Sequence, residues 1–405
     1  MKGILNKITK ENIQALLAAG VNYSVEYTAD FFRTLFQVLD FRKILPEVRG
    51  RKTDRMLLLA VMLLVITGVI MVWSASMYEE GSSMAARQLK FAFWGFVCMM
   101  WLSGVDYRKM RKLGGGGVIV CIGFLVAILL GAGGEYNGAS RGISIGSFSF
   151  MPVELTKIAV ILFVSNFFVK HYDDADKYSI YFLVVLFCGF IGILVLKQPA
   201  MSSALIILAT ILMIYLYAGC KIPVFIFTVI AGGIGAALYA VHSWRIERIY
   251  AVFDPFAPEL FHGAGWQPAQ SLMALGSGGL IGKGIGNGLS KLSYLPELQN
   301  DYVFSVIGEE MGLIGCLLII AGFIFVILRM FIVAFRSKDL FGKFVASGMA
   351  TLIAIQVIFN LMVVTNSFPS TGVSLPFISY GGSSLFTLMA GVGIVLNIAR
   401  NTQNQ

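Results

Sequence analysis

Charge is what this sequence has least of. Only 13% of its 405 residues are Asp, Glu, Lys or Arg, and these gather in short clusters between apolar runs. That is about half the charged share of a soluble domain, so a water-soluble globule is excluded. Histidine is scarcer still: His171, His242 and His262 are too scattered for a metal site or a Ser–His–Asp relay. The five cysteines, Cys98, Cys121, Cys188, Cys220 and Cys316, fall inside apolar runs or, for Cys220, between two of them, without metal-ligand spacing, and read as packing residues. No short apolar run follows the start, so no cleaved signal peptide is expected.

What the chain has in abundance is hydrocarbon, 57% of its residues. Ten apolar runs are long enough, or nearly so, to cross about 30 Å of bilayer core at 1.5 Å per residue. They lie near 56–76, 89–105, 117–132, 152–169, 179–197, 200–218, 222–241, 303–333, 344–366 and 382–399. Lipid-exposed backbone must satisfy its own hydrogen bonds, which predicts an all-α polytopic bundle of ten transmembrane helices. Lys and Arg set the orientation. Ten precede the first run, and "DYRKMRKL" adds Arg108, Lys109, Arg111 and Lys112, while alternate loops are poor in both. Both termini are therefore expected in the cytoplasm, with one long extracytoplasmic loop, 242–302, between helices 7 and 8. The net charge of +9 is spread over membrane-flanking loops. It reads as attraction to membrane lipids and not as a nucleic-acid footprint.

The chain divides into a cytoplasmic extension 1–55, a transmembrane domain 56–400 and a short tail 401–405. In the extension, Phe31, Phe32, Leu35, Phe36 and Leu39 fall on one helical face, as an interfacial anchoring helix or a partner-docking helix would place them.

The 242–302 loop is unusually long, and loops of that length are commonly functional. Its glycines, among them Gly278 and Gly279, permit tight backbone and close approach to a ligand. It ends in "YLPELQNDYVFSVIGEEMGLIG", which carries Glu297, Asp301, Glu309 and Glu310. Asn300 or Asp301 stands where a helix N-cap is expected, a role compatible with chemistry at a mouth. At least one of Glu309 and Glu310 faces the bundle interior, where it must be neutral or paired. In "SFMPVELTKIAV", Pro152 fits a first helical turn, and Glu154 and Lys157 share one face. Lys157 either snorkels to the outer surface or is a functional cation on the same side of the membrane as Asp301. Arg141 lies in a short loop at the same rim. An acid, nearby cations and a flexible loop suit a polyprenyl-phosphate substrate: the acid takes a proton from an attacking hydroxyl, and cations steady a departing diphosphate.

Four blocks occur in an order that points further: "SRGISIGSFSFMPVELTK", "AQSLMALGSGGLIGKGIGNG", "YLPELQNDYVFSVIGEEMGLIG" and "NSFPSTGVSLPFISYGGSSL". Together they resemble the shape, elongation, division and sporulation (SEDS) family, that of FtsW, RodA and SpoVE, over essentially everything after residue 55. "GNGLSKLSYLPE" looks more like the FtsW and SpoVE branch.

The resemblance implies ten membrane helices in the bacterial plasma membrane and a peptidoglycan glycosyltransferase site facing outside. Lipid II and the growing glycan strand would be the reactants and a class B penicillin-binding transpeptidase the partner. Carried over by position, Asp301 matches the family's essential Asp and becomes the general base, with Lys157, Glu154 and Arg141 as the conserved polar cluster. On this reading Lys157 holds Asp301 ionised. Substrate-binding candidates are Ser277, Gly278, Gly279, Lys283, Glu297, Asn360, Ser379, Tyr380, Gly381 and Gly382. No metal ligands and no cofactor are assigned, and a divalent cation at the leaving group is left open. One departure matters: "KQPAMSSA" places Ala200 where the family carries an acid, with Lys197 or Gln198 as candidates to compensate. A lipid II flippase and a non-catalytic scaffold for the transpeptidase remain the alternatives.

Overall fold

The computed structural model describes residues 54–77, 83–132, 134–136, 139–145, 148–175, 177–198, 200–241, 246–291 and 299–402. The expected interfacial helix near 31–39 and Glu297 lie outside these residues.

Each of the ten apolar runs is helical: α1 (Arg55–Ser76), α2 (Ser83–Gly104), α3 (Tyr107–Ala127), α4 (Pro152–Lys170), α5 (Tyr178–Leu196), α6 (Met201–Tyr217), α7 (Ile222–Val241), α11 (Val303–Arg336), α12 (Leu340–Val364) and α13 (Gly382–Thr402). Among the described residues, seven of these, α1, α3, α4, α5, α11, α12 and α13, are long and apolar enough to cross a membrane. The chain is thus a helical, polytopic membrane protein. Helix starts follow ordinary capping chemistry. Asp54 accepts from the Leu57 amide, Asp106 from Arg108 and Asp339 from Gly342, and Pro152 occupies the first turn of α4. In the bundle α13 runs along α2, α4 along α3, and α11 along both α12 and α1.

Three features depart from the helical expectation. A small antiparallel sheet, β1 (Gly134–Tyr136), β2 (Ala139–Ile145) and β3 (Phe148–Phe150), joins α3 to α4. Its β2–β3 register pairs Ile143 with Phe150 and Ile145 with Phe148. The cause is visible in "GISIGSFSF", where apolar and small residues alternate at the strand period. Second, the 242–302 segment holds three short helices, α8 (Ile246–Phe253), α9 (Pro258–Phe261) and α10 (Trp266–Ser277). Third, the run expected as one span over 303–333 is broken at Gly312, whose φ of 67° and ψ of −168° lie outside the helix region. Everything from Val303 to Glu310 is buried, which makes this short first piece of α11 a core element.

Candidate active site

The site is organised by the irregular segment between α12 and α13. Its backbone is held from several elements at once. Ser202, in the first turn of α6, donates to the Thr371 carbonyl at 2.5 Å, and Arg248 on α8 donates to Ser370 at 2.8 Å. Gln88 on α2 donates to the Ser379 carbonyl at 3.1 Å, and the Tyr380 amide donates to the Gln299 carbonyl at 2.8 Å. Asn360, fully buried on α12, donates to the carbonyls of Asp301 (2.8 Å) and Val373 (2.7 Å). Non-helical backbone within a membrane protein is tolerated when protein satisfies its polar groups in this way.

Asp301 sits where that segment meets α11. It is half-buried, and neither it nor Asn300 is the helix cap: Tyr302 holds that position, with no side-chain capping bond. The N-cap reading is therefore corrected, because the helix begins a residue later than either candidate requires. Gly372 adopts φ +58°, and a Cβ there would stand 3.3 Å from Asp301 Oδ2. A side chain at 372 would be strained and would crowd the carboxylate. Burial pushes the Tyr302 phenol up, the Asp301 carboxylate acts in the same sense, and Arg248 pulls it back. Arg248 and Asp301 thus act on one phenol.

Lys157 is not where the sequence reading put its charge. It neither snorkels nor pairs with Asp301. Its Nζ lies 2.6 Å from Glu154 Oε1 on the same face of α4, with the two side chains 3% and 10% exposed. The i, i+3 spacing makes this the nearest carboxylate, and burial makes pairing obligatory. Glu154 Oε2 is buried without a hydrogen-bond partner, leaving acceptor capacity beside the pair. The α4 start is joined to the α13 start by the Met151 amide, which donates to Ser383 Oγ at 3.2 Å.

Ala200 is the N-cap residue of α6 and provides no capping bond. Gln198 does not compensate, since its amide donates to the Leu125 carbonyl at 2.9 Å, and Lys197 is exposed.

The Gly-rich loop candidates are committed elsewhere. Lys283 Nζ lies 2.8 Å from Glu309 Oε1 and 2.9 Å from Ser277 Oγ, in an ion pair that the sequence did not signal. Gly278 packs against the Gly308 backbone, and Gly279 takes φ +57°. Ser379 Oγ accepts from the Leu375 amide at 2.7 Å, the Arg87 guanidinium lies 6.0 Å from the Tyr380 ring, and the Gly381 amide reaches Gln88 at 3.4 Å. Gly382 lies against the Phe91 ring. Arg141 lies on β2.

Sequence reasoning missed Arg248, Ser202, Gln88 and Lys291. Arg248 could have been suspected as a basic residue in the long loop. The others carry no signal without the contacts. Among the described residues no group of three or more His, Cys, Asp and Glu could hold a metal.

Known proteins fit this architecture. The FtsW/RodA/SpoVE family, described as "cell cycle protein", matches residues 54–404. A protein of Trichlorobacter lovleyi named "probable peptidoglycan glycosyltransferase FtsW" is 39% identical over 359 residues, 85% of this chain and 93% of its own. Stage V sporulation protein E of Bacillus subtilis is 36% identical over 358 residues, 86% of this chain and 97% of its own. Among solved structures, a chain from a peptidoglycan synthase complex studied for the coordination of polymerization and crosslinking superposes with TM-score 0.72 at 25% identity, covering 87% of this chain and 99% of that one. A variant of the rod shape determining protein RodA of Thermus thermophilus gives TM-score 0.64 at 25% identity, covering 86% and 98%. By fold, by matched length and by sequence, this chain belongs to the FtsW/RodA/SpoVE family of cell cycle proteins.

Proposed function

We propose that this protein is a peptidoglycan glycosyltransferase of the bacterial cytoplasmic membrane, joining lipid II disaccharides into glycan strands at the outer face and releasing undecaprenyl pyrophosphate. All ten long helices cross the bilayer in this reading, both termini are cytoplasmic, and the 242–302 segment lies outside. A class B penicillin-binding transpeptidase is the partner, by analogy with the synthase complex that the fold resembles.

The observation that carries the reading is the setting of Asp301. It is a half-buried carboxylate, its backbone held by Asn360 and its Oδ2 beside a glycine whose missing side chain leaves approach room. Asp301 accepts the proton of the acceptor sugar's 4-hydroxyl, and that oxygen attacks the donor's anomeric carbon with inversion. Arg248 replaces Lys157 as the cation beside the base: it is bonded to Ser370, two residues from Gly372, and it opposes Asp301 in its effect on Tyr302. The Glu154–Lys157 pair, with its unpartnered Oε2, is a substrate hydroxyl or amide acceptor in the same mouth. Arg141, on β2, is retained as the candidate cation for the diphosphate.

The test is polymerisation of lipid II by the purified chain, with and without its transpeptidase. Wild type yields glycan polymer; Asp301→Asn and Asp301→Ala do not. An Asp301→Asn variant that polymerises at the wild-type rate removes the base assignment. Transfer of lipid II across vesicles without polymer replaces this reading by transport.

A further inference from the structure

Glu309 and Glu310 lie just before the break in α11, and every feature around them concerns the Gly-rich loop 278–291. A broken helix leaves carbonyls without partners before the break and amides without partners after it. The loop backbone supplies both. The amides of Lys283 and Gly284 donate to the Glu309 and Glu310 carbonyls at 3.0 and 2.9 Å. The carbonyls of Gly279 and Leu280 accept from the Leu313 and Ile314 amides at 2.9 and 3.1 Å. Side chains complete the attachment. Glu309 accepts from Lys283, from the Leu289 and Ser290 amides and from Ser290 Oγ. Glu310 accepts from Lys291 at 3.0 Å and from Ser74 of α1 at 2.7 Å, with the Lys291 and Glu310 side chains 1% and 0% exposed.

The height of this attachment follows from α1. Its other end is tied to α11 by Asp54, whose Oδ2 accepts from Arg329 at 2.6 Å. From Asp54 to Ser74 an unbroken helix rises about 30 Å, one hydrocarbon thickness. The Asp54–Arg329 and Ser74–Glu310–Lys291 clusters therefore mark the two polar boundaries of the slab. Ile314, which donates to Leu280, stands only about 22 Å along α11 from Arg329, roughly 8 Å short of the second boundary. The loop around Leu280 thus lies on the hydrocarbon side.

Its side chains agree. Leu280, Ile281, Ile285 and Leu289 are 67%, 80%, 51% and 56% exposed. They continue the apolar face of α11 made by Leu313, Ile314, Leu317 and Leu318, each at least half exposed. Four large apolar side chains exposed on a loop are a liability in water and an anchor in lipid.

We propose that residues 278–291 form a membrane-inserted clasp: the loop threads the break in α11, the buried Lys291–Glu310 pair and the partly exposed Lys283–Glu309 pair hold it down, and Leu280, Ile281, Ile285 and Leu289 contact bilayer acyl chains. The 242–302 segment is thereby anchored in lipid beside α11. The inference concerns placement and stands apart from the transferase reading.

The experiment uses the full chain in liposomes with its native cysteines replaced and a spin label placed at Ile281→Cys. Leu318→Cys, on the lipid face of α11, and Glu259→Cys, exposed on α9, serve as lipid and water references. Collision with oxygen and with a water-soluble nickel chelate reads the environment. A label at 281 should match the 318 reference, with oxygen access several-fold above nickel access. A label matching 259 overturns the proposal, and so does one shielded from both reagents, which would mean a protein occupant. In Glu310→Gln the 281 label should gain nickel access at least threefold. An unchanged label there refutes the clasp as the holding device, and the wild-type measurement remains decisive if that variant does not fold.

Discussion

Two acid sites separated by less than three helical turns of sequence differ in burial and in the backbone that carries them. Glu309 and Glu310 are buried and saturated: lysines, backbone amides and serine hydroxyls point at their oxygens. Asp301 is half-buried, with a left-handed glycine beside its carboxylate and an asparagine holding its backbone. Saturation makes an acid a fastener, because a carboxylate with every lone pair engaged has nothing left for a substrate. Partial exposure on a held backbone suits the proton transfer proposed for Asp301. All three are carboxylates, and burial and backbone setting tell them apart.

The contrast can be broken in order of expected effect. Asp301→Asn keeps the shape and removes the base, so polymerisation should fall about 10²- to 10⁴-fold. Thermal unfolding in detergent should barely move, and a large loss of stability would instead make Asp301 a fastener. Glu310→Gln should do the reverse. It removes the carboxylate charge paired with the buried Lys291 and should cost about 3–5 kcal/mol by unfolding measurements. Glu310→Met combined with Lys291→Met should recover much of that loss, because removing both charges removes the desolvation problem. Recovery by the double variant is the sharper criterion.

Arg248→Gln tests the cation assigned to Asp301. A neighbouring positive charge favours the ionised carboxylate, and its loss favours the protonated form, which cannot act as a base. The acidic limb of the pH–rate profile should therefore move to higher pH, with activity recovered in more alkaline buffer. A uniform drop at every pH would indicate that Arg248 only places Ser370. The smallest effect is expected at α6: Ala200→Asp should supply the missing N-cap and raise stability by about 0.5–2 kcal/mol. An increase in polymerisation beyond that stabilisation would show that the acid also takes part in the site.

Much of this was legible without coordinates. The apolar runs located every long helix among the described residues, since the hydrocarbon thickness imposes length directly on sequence. Asp301 was legible because its stretch resembles a family block, and Glu154 and Lys157 because charge inside an apolar run is conspicuous. The partner of Lys157 was misjudged: the nearest carboxylate lay one turn away on its own helix, while the reading looked across to another. The pairing of Lys283 with Glu309 was likewise not read from the sequence. The sheet was overlooked because its period-two pattern spans only a few residues between two long helices.

By itself the sequence determined the class of the molecule, the number of apolar runs, the family and the acid most worth testing. These follow from composition and local order, which need no partner. The tertiary structure alone decided which cation meets which carboxylate, that α11 is broken at Gly312, and that a remote loop mends it. Those outcomes depend on competition among groups far apart in the chain, and in a water-poor interior the nearest well-oriented donor wins.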